Sequence, residues 1–397
     1  MTNFPRLALL AACVLAALPL SSFDRGIEAK ARLIVGRMSL EEEAGQILLV
    51  GVGGSGSAPR ASLAMIGTAG VGGILLFGFN IPADPLSLCP ALAQFQRAAT
   101  ASGAGLPLLV AIDHEGGSVF RFKGGITRPP SPLVTAERGA AYARLLGERE
   151  GLELGDLGIN MVLGPIVEAL TAANSAFLGN RSYGRDPLRV DAIAAAYIKG
   201  LAAGGAVAVA KHFPADGPAD PHRSLPYLGA SKEELESLYL ARFASAIKAG
   251  APVVMVSHIV VEAIDPSEPA TLSEGVIGLL RKELGFRGVV LTDDLYMKAL
   301  GMPPWRSAPR AIEAGADLLM LSSEDAAIPV RDAVVEAVRS GLLQASRLEE
   351  AVERVVALKL SRGLEAGRPP ADRSTSFASR VIESARLLAS VVEASPG

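Results

Sequence analysis

Histidine, cysteine and aromatic residues are all scarce in this 397-residue chain, which has four His, two Cys, one Trp, six Tyr and twelve Phe. Two cysteines, Cys13 and Cys89, exclude a disulfide framework and a cysteine-built zinc site. Aromatics at 5% leave no stacking platform for nucleobases. Neither sign of charge dominates, with 38 basic against 41 acidic residues, a net of −3 and no block of like charges. A nucleic-acid partner, which needs a basic face, is therefore not expected, and nor is an acidic tail.

Apolar residues are abundant, half of the total, alongside 42 Gly and 26 Pro. Collagen, coiled-coil and disordered classes fail on that composition. Length suggests two or three domains at about 150 residues each, but an α/β barrel takes about 250 residues or more as one. The chain is long enough to bury a large core.

Residues 7–20 (LALLAACVLAALPL) carry no charge and follow a single Arg6. Fourteen apolar residues are short for a bilayer span and suit the apolar core of a secretory signal. Cys13, after Leu10-Ala11-Ala12, also fits a lipobox, which makes lipidation and membrane attachment through the N-terminus the alternative to cleavage near Ser22. The expectation is a signal or anchor over 1–23, an exported (periplasmic or extracellular) protein, and one folded domain over 24–397. A cytoplasmic location follows if the segment is not a signal.

Downstream, eight short apolar runs alternate with amphipathic stretches. The runs are GQILLVGV (45–52), GGILLFGF (72–79), PLLVAID (107–113), GINMVLGP (158–165), AVAVAKHF (206–213), PVVMVSH (252–258), GVVLTDD (288–294) and ADLLMLSS (316–323). Near-continuous apolarity is the mark of parallel strands buried on both faces. Helical patterns fall at 39–44, 148–157, 190–203, 231–249 and 274–284, and Ser231 with Glu234 reads as a capping box. Eight strands alternating with helices predict the α/β class, as a single (β/α)8 barrel followed by C-terminal helices. An open doubly wound sheet is the competitor. No Gly-x-Gly-x-x-Gly opens a helix after the first strand, and there is no Walker lysine motif.

In such a barrel the carboxyl ends of the strands face the active site. Those ends carry Asp113, Lys211-His212, Ser257-His258 and Asp293-Asp294, and all four histidines (His114, His212, His222 and His258) lie in or beside such segments. A polar pocket is expected there. Each residue has a plainer alternative. Asp294 suits a helix N-cap as well as a site, while Asp293 suits a nucleophile or a metal ligand. Lys211-His212 suits a ligand contact or a structural ion pair, and His258 a ligand contact or a satisfied core histidine. Asp220-Pro221-His222 allows a carboxylate–imidazole hydrogen bond or a simple turn. An amidohydrolase-like metal site is disfavoured because no His-x-His stands on the first strand.

Five segments together resemble glycoside hydrolase family 3, in its single-domain NagZ-type β-N-acetylhexosaminidase branch. They are Ala111-Ile112-Asp113-His114-Glu115-Gly116-Gly117 with Arg121-Phe122, then Asn180-Arg181-Ser182-Tyr183-Gly184-Arg185-Asp186-Pro187, then Lys211-His212-Phe213-Pro214 with Asp220-Pro221-His222-Arg223-Ser224-Leu225-Pro226. Val256-Ser257-His258-Ile259 with Asp265 and Pro269–Ser273, and the stretch from Leu284 to Met297, complete the set. The likeness runs in order from Met38 to Leu321. It implies a retaining exo-β-N-acetylglucosaminidase with Asp293 as nucleophile and His222, paired with Asp220, as general acid/base. It further implies that Asp113, Arg181, Lys211 and His212 hold a sugar in the −1 subsite; His258, from its strand-end position, is a further expected substrate contact. The implied substrate is a GlcNAc-containing oligosaccharide or muropeptide, no metal or organic cofactor is implied, and a monomer is expected.

The residues suit that chemistry on their own terms. A retaining glycosidase needs a carboxylate beneath the anomeric carbon and a proton donor at the leaving oxygen. An imidazole, with an ordinary pKa of about 6.5, both donates and accepts near neutrality. The chain departs from the family pattern at Ala215-Asp216-Gly217, where Gly-His-Gly is usual, and in a loop from Lys211 to Asp220 about two residues short. His114 replaces Gln, and Glu168 stands where Asp is common. A shifted substrate preference is one expectation from these changes. The rivals are a β-glucosidase or glycoside phosphorylase of the same superfamily, and a sugar-binding protein with a decayed site.

Overall fold

The computed structural model describes residues 23–365 and 374–393. Apart from Phe23 the expected leader lies outside them, as do Cys13 and Gly367-Arg368-Pro369-Pro370. Eight parallel strands close into a barrel: β1 (Leu48–Gly51), β2 (Gly73–Leu76), β3 (Leu109–Ile112), β4 (Met161–Val162), β5 (Val207–Phe213), β6 (Val253–Val256), β7 (Val289–Asp294) and β8 (Leu318–Leu321). Each falls inside one of the eight apolar runs, and the spatial order follows the chain order, with β8 pairing back onto β1 through Leu48↔Leu319. The open-sheet alternative is thereby removed.

The strands are apolar throughout because helices cover the outside while side chains fill the inside, so both faces exclude water. β5 shows this plainly, since all seven residues from Val207 to Phe213 are buried, Lys211 and His212 included. Strand register is regular except at two places, between Ala210 and Phe213 on β5 and between Leu291 and Asp294 on β7. Irregular pairing of this kind turns side chains away from the pleat. Here it coincides with the two strand ends that carry Lys211-His212 and Asp293.

Local signals set the helices. Ser39 and Glu42 form a capping box that opens the helix Leu40–Gln46, and Ser231 with Glu234 forms the expected one at Lys232–Glu234. The predicted stretch 148–157 is the end of a longer helix, Pro132–Leu157, which starts at the Ser131 cap and breaks at Gly139 (φ 88°). After β8 the chain forms Ala327–Arg339 and Ala345–Ser361, and later Phe377–Glu393. The last of these is clamped to Pro132–Leu157 by Arg149, which reaches Ser384 at 2.9 Å and Glu383 at 2.8 Å. At the floor of the barrel the buried Asp317 takes Arg281 (2.5 Å), Arg347 (2.6 Å) and Arg354 (2.9 Å). Three guanidiniums around one carboxylate tie two surrounding helical segments to the start of β8. Among the described residues no helix is long and apolar enough to cross a membrane.

Candidate active site

A cavity of about 280 Å³ opens among the carboxyl ends of the strands, lined among others by Asp113, Arg181, Lys211, His212, His222 and Asp293. That volume is at the small end for ligand pockets and suits one monosaccharide unit rather than a chain. Six of the eight candidate residues thus share one wall system.

The segment after β3 turns into a short hairpin, His114–Gly116 against Val119–Phe120. Gly116 is required there: its φ is +87°, and a Cβ would lie 2.2 Å from the carbonyl of Pro130. Side chains alternate across an extended segment, so Asp113 and Glu115 face the cavity while His114 turns away. Lys211 Nζ lies 3.2 Å from Asp113 Oδ1 and 2.6 Å from Glu115 Oε1. Arg121 meets the other oxygen of Asp113 at 2.8 Å. Arg181 grips Glu115 with both Nε (2.8 Å) and Nη2 (2.9 Å), and its guanidinium also lies over the ring of Phe177. Burial alone would raise both carboxyls. Lys211 and Arg121 overcome it at Asp113, and Lys211 and Arg181 hold Glu115 well below the usual carboxylate range. Burial likewise works against the Lys211 charge, but Glu115 and Asp113 keep its pKa above the ordinary value.

His212 forms a second buried cluster. Its Nδ1 lies 2.7 Å from Asp216 Oδ2 and 3.4 Å from Glu168 Oε1. Glu168 also accepts the backbone N–H groups of His212 (3.1 Å) and Asp216 (2.6 Å). Burial opposes charge on the imidazole, yet the carboxylates push its pKa up to about 10. Burial and the Asp216 charge push Glu168 up, against the pull of His212. Among the described residues these three are the one group whose donor atoms all lie close enough to suggest a cation site. Their contacts suit a shared proton better. Two ligands of one tetrahedral zinc stand roughly 3.3 Å apart, whereas Nδ1 and Oδ2 sit at hydrogen-bond distance.

Asp293 ends β7 as a buried side chain on the cavity wall, and its Oδ1 accepts the N–H of Asp294 at 2.8 Å. Pro221 and His222 reach the same cavity from the loop after β5. Asp220 Oδ1 accepts both the backbone N–H of His222 (3.0 Å) and its ring Nδ1–H (2.8 Å). Slight burial raises Asp220 and the His222 hydrogen bonds more than cancel it, so its pKa is lowered. The loop is fastened at both shoulders. Ala299 donates to the Pro221 carbonyl at 3.1 Å, and Tyr227–Leu228 pairs with Val260–Val261.

Three expectations need correction. His258 does not line the cavity. It is buried, with Nε2 donating to the Asp294 carbonyl (3.0 Å) and Nδ1 hydrogen-bonded to the Thr271 hydroxyl (2.7 Å). With both nitrogens engaged it has none for a sugar and acts as a brace under β7. His114 is buried against Phe120 and Phe122 with neither nitrogen hydrogen-bonded, and burial pushes its pKa down to about 3. Only His212 and His222 therefore belong to the pocket. Asp294 caps no helix, because the segment after it forms only turns and one 3-10 turn. It instead accepts the N–H groups of Tyr296 and Ser322 and ties β7 to the loop after β8. Conversely, Glu115, Arg121, Glu168 and Asp216 are part of the site and were not among the candidates. The signal for Glu115 was its position two residues beyond Asp113 on an extended segment, which places both on one face.

Comparison with known proteins gives the family. Residues 39–358 match the family model for the glycosyl hydrolase family 3 N-terminal domain. A β-hexosaminidase of Alkalilimnicola ehrlichii is 36% identical over 273 residues, covering 65% of this chain and 76% of that protein. The β-hexosaminidase LpqI of Mycobacterium tuberculosis is 32% identical over 337 residues, covering 81% of this chain and 83% of that protein. Among solved structures, a family 3 β-N-acetylglucosaminidase from a Paenibacillus species superposes with a TM-score of 0.79 at 34% identity, covering 87% of this chain and 69% of that one.

Proposed function

The chain belongs to glycosyl hydrolase family 3, and we propose that it is a retaining exo-β-N-acetylglucosaminidase releasing terminal GlcNAc from peptidoglycan- or chitin-derived fragments. The observation that carries the reading is one cavity with three kinds of wall. These are a buried carboxylate at Asp293, an Asp220–His222 dyad, and the ionic cluster of Asp113, Glu115, Arg181 and Lys211.

The chemistry follows from those contacts. With Nδ1–H held by Asp220, His222 Nε2 is the nitrogen left to carry a proton to the glycosidic oxygen. With Oδ1 occupied by the Asp294 N–H, Asp293 attacks the anomeric carbon through Oδ2 as the C–O bond breaks. The leaving sugar departs as the alcohol, and a glycosyl ester on Asp293 remains. Water then gives a proton to His222 Nε2 and its oxygen to the anomeric carbon, which frees Asp293 and restores the β configuration. Asp220 stabilises the imidazolium that forms during deglycosylation. Asp113, Lys211 and Arg181, already fixed by one another, bind the ring hydroxyls with little ordering left to do on binding. Export, read from residues 7–20, would place this activity outside the membrane.

Hydrolysis of an aryl β-N-acetylglucosaminide against an aryl β-glucoside tests the reading, with the first product's anomeric form followed by NMR. Preferred turnover of the first with initial release of β-GlcNAc is expected. Preference for the glucoside, or stimulation by phosphate with sugar phosphate as product, would establish the rival enzymes. Sugar binding without turnover would establish the decayed site.

A further inference from the structure

The departure at Ala215-Asp216-Gly217 has a structural counterpart. Asp216 is buried, and its Oδ2 lies 2.7 Å from Nδ1 of His212, with Glu168 Oε1 3.4 Å from the same nitrogen. Glu168 is held in turn by two backbone N–H groups, those of His212 and of Asp216 itself, which fixes the Asp216 backbone beside the ring. Both carboxylates thus approach the same ring nitrogen, Nδ1, and Nε2 is left for the cavity, which both His212 and Asp216 line.

We propose that Asp216 is a positioning and specificity residue that, together with Glu168, keeps His212 a permanent imidazolium whose Nε2–H only donates. The inference rests on reading the cavity as the −1 sugar site. A neutral imidazole donating from Nδ1 presents a lone pair at Nε2 and accepts from a sugar hydroxyl. The imidazolium presents N–H and demands an acceptor. With two carboxylates close to Nδ1, the imidazolium supplies a compensating positive charge that the neutral ring lacks. The other charges near the ring are Lys211 beside it, which opposes its protonation, and Arg181, whose own positive charge Asp216 supports. The ligand chemistry selected is a sugar oxygen, hydroxyl or acetamido carbonyl, offering a lone pair at the His212 position. A substrate that could only donate there is rejected.

The test uses the ring nitrogens of His212, readable by NMR because the chain holds four histidines. His212→Asn assigns the signal. In the unaltered protein both nitrogens are expected to stay protonated from pH 6 to beyond 8. In Asp216→Asn the midpoint should fall by about one pH unit or more, the effect of losing one buried ionic partner. With aryl GlcNAc, the same variant should show KM rising about tenfold per unit above its new midpoint while kcat changes less, with recovery on acidification. A loss of packing alone would raise KM equally at every pH. Asp216→Ala repeats the measurement should the asparagine variant fold poorly. A neutral His212 at pH 7.5 in the unaltered protein, or an unchanged midpoint in both variants, overturns the proposal. If the NMR result is as expected but no glycoside is turned over, the proposed function fails and the assignment of His212 stands.

Discussion

The ammonium of Lys211 lies 2.6 Å from Oε1 of Glu115, both side chains being almost wholly shielded from water. Through that one contact, strand β5 is joined to the hairpin after β3, and through the second oxygen of Glu115 the pair extends to Arg181. Cations that could each bind a sugar hydroxyl are thus locked before any sugar arrives. Buried pairs of this sort give geometry more than net stability, but removing one member exposes the cost of the other.

Glu115→Gln should therefore destabilise the fold by about 3–5 kcal/mol, the range for an uncompensated buried charge. It should also raise KM, because Lys211 and Arg181 lose their common anchor. Urea unfolding and steady-state kinetics on the same preparation check both. Unchanged stability would mean the pair is not buried as described.

Asp293→Ala should lower turnover by about 10⁴-fold or more, as expected on loss of a covalent nucleophile. Intact-protein mass spectrometry on the unaltered enzyme during slow turnover should show one sugar residue attached, and none on the variant. An adduct elsewhere would move the nucleophile.

His222→Ala should cost about 10²–10⁴-fold with an unactivated leaving group. The loss should be smallest for glycosylation of aryl substrates that leave without a proton. Equal losses for both classes of leaving group would remove His222 as the acid.

His114→Leu tests the acid side of the stability profile. The ring is neutral in the fold, with its pKa pushed down to about 3, so its share of stability is complete above the ordinary value of 6.5 and drains away as pH falls. The slope is about 1.4 kcal/mol per pH unit. Denaturant unfolding at pH 7.5 and 5 should show the leucine variant gaining about 2 kcal/mol on the parent between those pH values. His212 works with the opposite sign. Its raised pKa contributes stability below 6.5 that is lost as pH climbs through about 10.

Lys359 is fully buried, with Gln46 Oε1 at 2.6 Å, and burial lowers its pKa to about 7. Above the ordinary 10.5 both folded and unfolded lysine are neutral, and the penalty for folding grows as pH falls from there to 7. Lys359→Met should therefore stabilise the protein by about 2–3 kcal/mol at pH 7, after the loss of the Gln46 contact. The gain should shrink by about 1.4 kcal/mol per unit up to pH 9. Melting curves at the two pH values decide it.

The barrel was legible in the sequence because its cause is local and repetitive. A strand covered on both sides must be apolar at nearly every position, so eight runs marked eight strands, and the polar residues at their ends marked the mouth. Asp113, Lys211, Asp293 and the Asp220–His222 spacing could be found in that way. What tertiary structure alone decided is which polar side chains face the cavity and what each one meets. His258 and His114 sit in the same segments as the site residues, yet alternation and packing turn them into the core. Glu115, Glu168 and Asp216 look like ordinary acids in the chain. Glu115 and Glu168 meet partners 96 and 44 residues distant. Even Asp216, four residues from His212, gains its place only through the buried Glu168, where neither periodicity nor spacing reports who neighbours whom.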